Sequence, residues 1–479
     1  MKRLSGSDAM LLYSETPNVY THTLKVAVVE STSSDNPFSF ETFKEIVRQR
    51  LDLMEPLRYR LVQTPLRLHH PMWLQGCDVD LDYHLRKVEV ADPGGRRELD
   101  ELVGLIAGSP LDRSRPLWEF YFVEGLAGGC SAVVGKVHHT LADGVASGNM
   151  MARAMNHSAH AAAARREPVT AESLPSKAAM LGAAGRDHLH QIGRLPRLIG
   201  HTAAGLARQR SRSKSRGEHP GLASGLRAPQ TFINHVVSPR RTFATATLAL
   251  TDVKHVSKIL GITINDLLLA ICAGALRELL IRYDGHAELP LIASVPTCLD
   301  MSMNRISGNE LGGLLVSLPV QVADPLERTR LVDIATGVAK ENYLLVGPDL
   351  MANWSMFLPT AIAPSVFRWL SKRKPTVSLF NLPISNVPGP RERSGLGAFS
   401  LREIYSVGPL VAGSGLNITA WSYVDQFNIS VLADDATLRD PHEVTNAMLR
   451  AFRDIRCSAG LPGEISTVDT AMDQVCPLV

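Results

Sequence analysis

Hydrophobic and polar positions along the chain follow two periods, one typical of strands and the other of helices. Short apolar stretches rich in β-branched residues, such as 24–30 and 131–137, predict buried or half-buried strands. Other segments repeat apolar residues every three or four positions, as in 97–107 and 145–155, and these predict helices. Strands that alternate with packed helices indicate an α/β architecture.

The second half of the chain repeats this pattern. Strands are predicted near 242–250, 291–295, 312–320 and 417–424, and long helices at 263–282, 325–345 and 441–455. Thr263 is suited to cap the first of these helices. We expect an N-terminal subdomain over 1–160, a basic Ala/Arg-rich crossover over 161–235, a C-terminal subdomain over 236–465 and a tail over 466–479.

The crossover has its own composition. Residues 176–216 carry nine Lys or Arg against Asp187 alone, with apolar residues interleaved, and Pro196 predicts that any helix here is broken. A solvated, partly disordered linker explains this composition. So does a basic amphipathic element that lies on anionic lipid headgroups. Residues 351–370, which are apolar and aromatic and are followed by clustered cations, also suit a membrane interface.

Bulk properties exclude several classes of protein. The net charge of +3 gives no nucleic-acid signature, and the six cysteines form no CxxC pair or metal-ligand spacing. The sequence has no GxSxG elbow, P-loop or dinucleotide-binding glycine pattern. An N-terminal signal region and a window of about 20 uninterrupted apolar residues are also missing. We therefore expect a cytoplasmic protein, peripheral on the inner face of the membrane or on lipid inclusions.

The strongest chemical candidate is segment 136–144, where a predicted strand ends in a turn that leads into a helix. It contains His138, His139, Asp143 and Gly144, and the glycine permits a close approach of the backbone. The histidines could be structural. They could bind a metal, although neighbouring strand residues point to opposite faces. One could also be a general base, because an imidazole has a pKa of about 6.5. Spacing alone leaves these interpretations open.

A family resemblance favours the general base. The segment matches the HHxxxDG motif of the CoA-dependent acyltransferase superfamily, which includes chloramphenicol acetyltransferase and the condensation domains of peptide synthetases. Three further segments, in order, make the chain resemble the bacterial wax ester synthase/diacylglycerol acyltransferase family: Pro116-Leu117-Trp118-Glu119, Asn265-Asp266 and Ser385-Asn386-Val387-Pro388-Gly389-Pro390. The opening segment 4–12 is also similar to the start of that family.

The resemblance implies two chloramphenicol-acetyltransferase-like subdomains, each a mixed β-sheet flanked by helices, with the active-site tunnel between them. It makes His139 the base, with His138 and Gly144 in the same loop and Asp143 paired with an arginine that the sequence does not identify. It assigns substrate-binding roles to Pro116, Leu117, Trp118, Asn265, Asp266, Ser385 and Asn386. Plainer interpretations compete for some of these residues: Trp118 could fill the core, and Asn265 and Asp266 could satisfy the free N–H groups of a helix N-terminus.

The implied activity is direct acyl transfer from acyl-CoA to a hydroxyl group. The product would be triacylglycerol from diacylglycerol, wax ester from a long-chain alcohol, or both, with Asn386 or Asn265 as an oxyanion donor. Acyl-CoA is a substrate here, and no cofactor or metal is expected. Two alternatives remain: a related enzyme that acylates another hydroxyl or an amine, and a non-catalytic protein that binds membranes or lipid droplets.

Overall fold

Two six-stranded mixed sheets, each flanked by helices, organise the chain, as the resemblance implies. A computed structural model describes residues 1–30, 38–155, 172–217, 219–223, 227–375, 378–396, 399–468 and 470. The strands are β1 (Lys2–Arg3), β2 (His22–Glu30), β3 (Arg60–Val62), β4 (Met72–Leu74), β5 (Leu85–Glu89), β6 (Trp118–Glu124), β7 (Cys130–His138), β8 (Arg241–Ala249), β9 (Leu291–Cys298), β10 (Leu311–Leu318), β11 (Leu382–Val387), β12 (Gly395–Leu396), β13 (Phe399–Val407), β14 (Leu416–Tyr423) and β15 (Gln426–Asp434).

The helices lie on the faces of these sheets. They are α1 (Gly6–Ser14), α2 (Phe40–Arg50), α3 (Leu81–His84), α4 (Arg96–Ala107), α5 (Gly144–Met155), α6 (Lys177–Arg216), α7 (Leu250–Leu260), α8 (Ile264–Tyr283), α9 (Pro325–Val346), α10 (Leu350–Ser355), α11 (Ala363–Ser371) and α12 (His442–Ser458). None of the described helices is by itself long and apolar enough to cross a membrane. The pair α7 and α8 has the necessary length and composition, but the two helices are bent by 97° at the break between them.

The first sheet takes strands from both ends of the chain. Its order is β12-β13-β2-β7-β6-β5, so that β13 pairs with β2 although the two are separated by most of the sequence. The second sheet has the order β10-β9-β11-β14-β15-β8, and β1, β4 and β3 form a small third sheet. The predicted boundary at residue 160 lies outside the described residues, as does most of the tail after 466, and the four predicted ranges stay predictions.

The crossover helix α6 corrects one prediction from the sequence. It runs through Pro196 without the predicted break, from a cap by the Ser176 hydroxyl to its end at Arg216. The proline removes one backbone hydrogen bond, but packing on α9 compensates for it. Gly205 lies so close to the backbone of Val346 that a Cβ there would come within 2.7 Å of the carbonyl oxygen, and Arg216 pairs with Glu341. Tertiary contacts therefore override the local penalty of proline.

The core of the second half surrounds α8. Buried apolar residues cover nearly all sides of this helix, and α7, α9 and α12 pack against it together with β10 and β11. Thr263 caps its N-terminus, as predicted, by accepting a hydrogen bond from the backbone N–H of Asp266. The two halves also share polar contacts, such as those from Asp100 of α4 to Thr245 of β8.

Candidate active site

The loop between β7 and α5, residues 138–144, lies where the two halves of the chain meet. We call it the histidine loop. His139 N–H donates to the carbonyl of Thr21 at 2.8 Å, which continues the β2–β7 ladder beyond the last paired residues. Asp143 caps α5 through a 2.8 Å hydrogen bond from Ala146 N–H to Oδ1. A Cβ on Gly144 would approach a methyl group of Val387 to 3.3 Å, so glycine gives the close approach that its position requires.

His138 holds the loop in place and is not free to act as a base. Its Nδ1 accepts the backbone N–H of Thr140 at 3.1 Å, while its Nε2 lies 2.5 Å from a carboxylate oxygen of Glu15. These contacts place the proton on Nε2 and occupy the lone pair on Nδ1. Burial alone would raise the pKa of Glu15, but the hydrogen bond from His138 and the nearby Arg113 lower it to about 2.

The ring of His139 differs from that of His138, because it is held by a residue from the second half of the chain. Its Nδ1 lies 2.8 Å from Oδ1 of Asn309. The Asn309 amide nitrogen donates to two acceptors, Oδ1 of Asp8 at 2.7 Å and the carbonyl of His139 at 2.8 Å, which fixes the amide orientation. Oδ1 of Asn309 is then an acceptor, so His139 carries its proton on Nδ1 and presents an unprotonated Nε2.

Burial lowers the pKa of His139 below its ordinary value of 6.5, even though its hydrogen bonds and the charge of Asp143 act in the other direction. The side chain is only half-buried, so it keeps some accessible surface. A half-buried imidazole that is neutral at pH 7 and has one free nitrogen is suited to accept a proton from a bound substrate.

Asp143 forms the second link between the halves. Arg305 contacts both of its carboxylate oxygens, at 2.9 and 3.0 Å, and the backbone N–H of Glu310 donates to it at 3.1 Å. Gly308, whose φ is +81°, accepts from the N–H of Asp143 and donates to the carbonyl of Leu141. The Asp143 side chain is fully buried. Arg305 is the arginine partner that the sequence could not identify.

The structure places the other predicted site residues in different surroundings. Trp118 is 0% exposed; its indole N–H donates to the carbonyl of Leu57 and its ring stacks on His84. This side chain is part of the core, which favours the plainer interpretation of Trp118, and its substrate-binding role stays a prediction. Pro116 and Leu117 are also buried, and the Leu117 carbonyl accepts the N–H of His138. Leu117 therefore holds the first residue of the histidine loop through its backbone.

Asn265 and Asp266 lie in the first turn of α8. Asp266 forms a capping box with Thr263, and none of the hydrogen bonds of the described residues joins either side chain to the histidine loop. The helix-cap interpretation accounts for Asp266. Ser385 and Asn386 lie near the end of β11, next to Val387, which contacts Gly144. The structure thus brings this segment to the loop.

Sequence reasoning missed Asn309, the partner of the His139 ring. Asn309 follows Gly308 in a turn before β10 and belongs to none of the quoted motifs. Asp8, which orients Asn309, was part of the family-like opening segment but received no role. A Gly-Asn pair is an ordinary turn signal, so the sequence contained no indication of this contact.

Comparison with known proteins identifies the family. The sequence model of the wax ester synthase/diacylglycerol acyltransferase catalytic domain matches residues 4–268, and that of the family's C-terminal domain matches residues 307–456. The chain belongs to the wax ester synthase/diacylglycerol acyltransferase family. It is 55% identical over 474 residues to a Mycobacterium tuberculosis protein named "putative diacylglycerol O-acyltransferase", covering 99% of this chain and 100% of that protein. A second protein of that name and organism is 33% identical, covering 98% and 100%.

Solved structures share the fold. The wax ester synthase/diacylglycerol acyltransferase from Marinobacter aquaeolei VT8 superposes with a TM-score of 0.67 at 24% identity, covering 96% of this chain and 100% of that one. A starter condensation domain of rhizomide synthetase, solved in complex with C8-CoA and Leu-SNAC, gives 0.53 at 14% identity, covering 98% and 97%. These likenesses confirm the predicted two-sheet fold class. The family match makes the chain an acyltransferase.

Proposed function

We propose that this family member transfers the acyl group of an acyl-CoA to the hydroxyl of diacylglycerol, of a long-chain alcohol, or of both, with His139 as the general base. One observation carries the proposal: Asn309 holds the proton of the imidazole on Nδ1 and leaves Nε2 free. The partner of the ring is an amide and not a serine or cysteine nucleophile, which supports direct transfer over a covalent acyl-enzyme.

In this mechanism Nε2 of His139 accepts the proton of the acceptor hydroxyl as its oxygen attacks the thioester carbonyl. The C–O bond forms, the carbonyl becomes a tetrahedral oxyanion, and the C–S bond then breaks. The imidazolium returns its proton to the departing CoA sulfur. Asn386 is our proposed oxyanion donor, as the family resemblance implies; it lies on β11, the strand that approaches the histidine loop at Val387.

The test measures CoA release from palmitoyl-CoA with dioleoylglycerol, with hexadecanol and with no acceptor. We expect release that depends on an acceptor, and the faster acceptor identifies the main product. Release without any acceptor would contradict transfer. If both acceptors are inactive, a panel of shorter alcohols and amines would separate an enzyme for another acceptor from a protein that only binds lipid.

We expect Asn309→Leu to lower kcat by about 10- to 100-fold, the effect typical of a residue that orients a catalytic group. The Asn309 oxygen stabilises the imidazolium, so its loss lowers the pKa of His139 further. The acidic limb of the kcat/KM profile should therefore lie at lower pH in the variant than in the wild type. The measurement is a pH–rate profile from pH 5 to 8.

Asn304→Leu is the matched control, because Asn304 lies exposed in the same segment. We expect its pH profile to match that of the wild type. A merely structural role for Asn309 would lower activity in Asn309→Leu without moving the acidic limb, and this result would contradict the assignment of the Nδ1 proton.

We also infer that the protein binds a lipid surface through one exposed apolar face. Four residues with large exposed fractions line a single surface depression: Leu66 (81%), Leu68 (49%), Ile192 (65%) and Ile362 (58%). The neighbouring α11 exposes three more apolar side chains on one side: Val366, Trp369 and Leu370. This lipid-binding face thus joins the crossover helix to the segment that suited a membrane interface by sequence.

The backbone and the charges of this face support the same role. Leu66 and Arg67 have φ values of +55° and +52°, a conformation that costs of order 1–3 kcal/mol in a residue other than glycine. Leu66 adopts this conformation although its side chain is 81% exposed. Arg373 stacks over the Trp369 ring at 4.1 Å, a pairing of aromatic and cation that suits the headgroup region.

We expect the double variant Leu66→Ser/Trp369→Ser to bind vesicles of phosphatidylethanolamine and phosphatidylglycerol at least about tenfold more weakly than the wild type. The reason is that each side chain contributes roughly 1.5–3 kcal/mol when it leaves water. Co-sedimentation measures the binding. The control is Leu105→Ser on α4, where the leucine is 73% exposed. Equal weakening by the control would contradict a defined face.

A further inference from the structure

A buried carboxylate in the first helix is used by no step of the proposed mechanism. Asp8 lies in the first turn of α1 and is 5% exposed. Its Oδ2 accepts the backbone N–H of Ser5 and closes a capping box on this helix. Its Oδ1 accepts the amide of Asn309, the partner of the His139 ring, at 2.7 Å. The second oxygen therefore joins the N-terminal helix to the proposed base.

The capping role does not account for this second contact. Asp266 closes the same kind of capping box on α8 with its Oδ2, and its buried Oδ1 has no hydrogen-bond partner among the described residues. One carboxylate oxygen is thus sufficient for the cap. The contact from Oδ1 of Asp8 to Asn309 is an addition that serves a group outside α1.

The amide of Asn309 can face the His139 ring in two ways. With its oxygen towards Nδ1, it accepts the Nδ1 proton and leaves the lone pair on Nε2. With its nitrogen towards Nδ1, it would donate, so that the ring proton would lie on Nε2. The ring could then no longer accept a proton from a bound substrate. The groups on the other side of the amide decide between these two states.

Two acceptors face the amide nitrogen, and they differ in strength. One is the carbonyl of His139 at 2.8 Å, a neutral group that is also close to its own ring. The other is Oδ1 of Asp8, and a hydrogen bond to an ionised carboxylate is about twice as strong as one to a neutral acceptor. A carboxylate can only accept, so the reversed amide would bring its oxygen against the negative charge. Asp8 therefore contributes the larger part of the preference.

The contacts of Asp8 favour its ionised form. Burial raises the pKa of its carboxyl group, while the hydrogen bonds from Asn309 and Ser5 and the charge of Lys2 act in the other direction. Oδ1 faces the amide N–H of Asn309 and Oδ2 faces the backbone N–H of Ser5. A protonated carboxyl group would have to point its own proton at one of these two donors. The carboxylate is the form that fits these surroundings.

We propose that Asp8 is a positioning residue for the general base: its carboxylate holds the Asn309 amide in the one orientation that leaves Nε2 of His139 unprotonated. This inference rests on the proposed function for the use of that nitrogen, but not for the place of the ring proton. The Thr140 hydroxyl donates to the backbone carbonyl of Asp8 at 2.7 Å, which anchors that backbone to the histidine loop independently of the side chain. A change confined to the carboxyl group therefore tests the proposal.

Asp8→Asn is the test variant, because it keeps the shape of the side chain and removes its charge. An asparagine at this position can also donate to a reversed Asn309 amide, so part of the protein should carry the ring proton of His139 on Nε2. We expect kcat for palmitoyl-CoA and the faster acceptor to fall about tenfold, the lower end of the cost of losing an outer partner of a functional histidine. The KM values should change little, because Asp8 lies behind the partner of the ring.

The pH–rate profile gives a second readout. One amide bridges Oδ1 of Asp8 and Nδ1 of His139, so these atoms are at most about 8 Å apart. Loss of a negative charge at this distance destabilises the imidazolium, and the acidic limb of the kcat/KM profile should lie at lower pH in Asp8→Asn than in the wild type. The other charged groups around the histidine loop stay in place in this variant: Asp143, Arg305, Glu15 and Arg113.

Carbethoxylation detects the lone pair on Nε2 without any turnover. Diethyl pyrocarbonate reacts with an unprotonated imidazole nitrogen, and tandem mass spectrometry distinguishes a label on His139 from one on His138. The wild type should be labelled on His139 at neutral pH, and absence of this label would overturn the proposal. In Asp8→Asn the labelling rate at His139 should fall at least about twofold, because the two amide orientations become comparable once the charge is removed.

Ser5→Ala is the matched control. It removes the hydroxyl that caps the N–H of Asp8 and so weakens the start of α1, while the Asp8 carboxylate stays on Asn309. We expect its pH profile and its labelling rate to match those of the wild type.

The outcomes separate this proposal from the proposed function. Equal changes in Ser5→Ala, or a loss of kcat in Asp8→Asn with an unchanged acidic limb and unchanged labelling, would overturn the positioning role. Slower labelling of His139 in Asp8→Asn, combined with a wild type that transfers no acyl group, would support the positioning role and contradict only the proposed function.

Discussion

Replacing His139 with alanine should lower the kcat of acceptor-dependent CoA release by about 100- to 10,000-fold, the range that a positioned general base contributes. The KM values should change little, because the other contacts to both substrates remain. Some transfer should persist, since orientation of the two substrates and oxyanion donors act without the base. Comparing wild type and variant with palmitoyl-CoA and the faster acceptor measures the effect.

The control for this variant is another half-buried histidine in a hydrogen bond. His235 fits, because its Nε2 contacts the Thr437 hydroxyl at 2.6 Å. His235→Ala should keep acceptor-dependent release within about threefold of the wild type, the scale of a surface-near substitution. If His139→Ala also kept its activity, the base would lie elsewhere and direct transfer through this loop would be wrong.

The parts of the site that the sequence revealed are those with a local signal. The apolar stretch of β7, the turn and the periodic face of α5 are consecutive, so they placed the two histidines at a strand end before the structure did. Thr263 and Asp266 likewise show their capping role by a spacing of three residues. These elements need only their own residues to be interpreted.

The features that the sequence did not reveal depend on partners far along the chain. Nothing in residues 399–407 indicates that β13 pairs with β2 of the first half. The sequence predicts a break in α6 at Pro196. The prediction fails because the contacts that compensate for the proline come from α9, more than a hundred residues later. The sequence around Trp118 would show the same apolar pattern whether the side chain lines a channel or fills the core.

The same limit applies to the partners within the site. Asp143 clearly needs a cation, but the chain has 50 lysines and arginines, and only the fold selects Arg305. Asn309 and Asp8 are 301 residues apart and meet at His139. The histidine loop belongs to the first half by sequence, while its orientation comes from segment 305–310 of the second.

Breaking the link between Arg305 and Asp143 should therefore destabilise the whole protein. Arg305→Met leaves the Asp143 carboxylate buried without its cation, which typically costs about 3–5 kcal/mol in the free energy of unfolding. Urea denaturation measures this loss. Arg330→Met is the matched control, because Arg330 pairs with Glu327 on the surface with 56% of its side chain exposed. An exposed pair of this kind contributes about 0–1 kcal/mol.

The double variant Arg305→Met/Asp143→Asn separates the cost of the unpaired charge from the loss of packing. An asparagine at 143 can still accept the N–H of Ala146 through its side-chain oxygen, and it carries no charge to bury. We expect it to recover a large part of the stability lost in Arg305→Met, because neutralising the remaining partner removes the desolvation cost. A double variant less stable than either single variant would show that the two residues act independently. The halves would then be joined by something other than this ion pair.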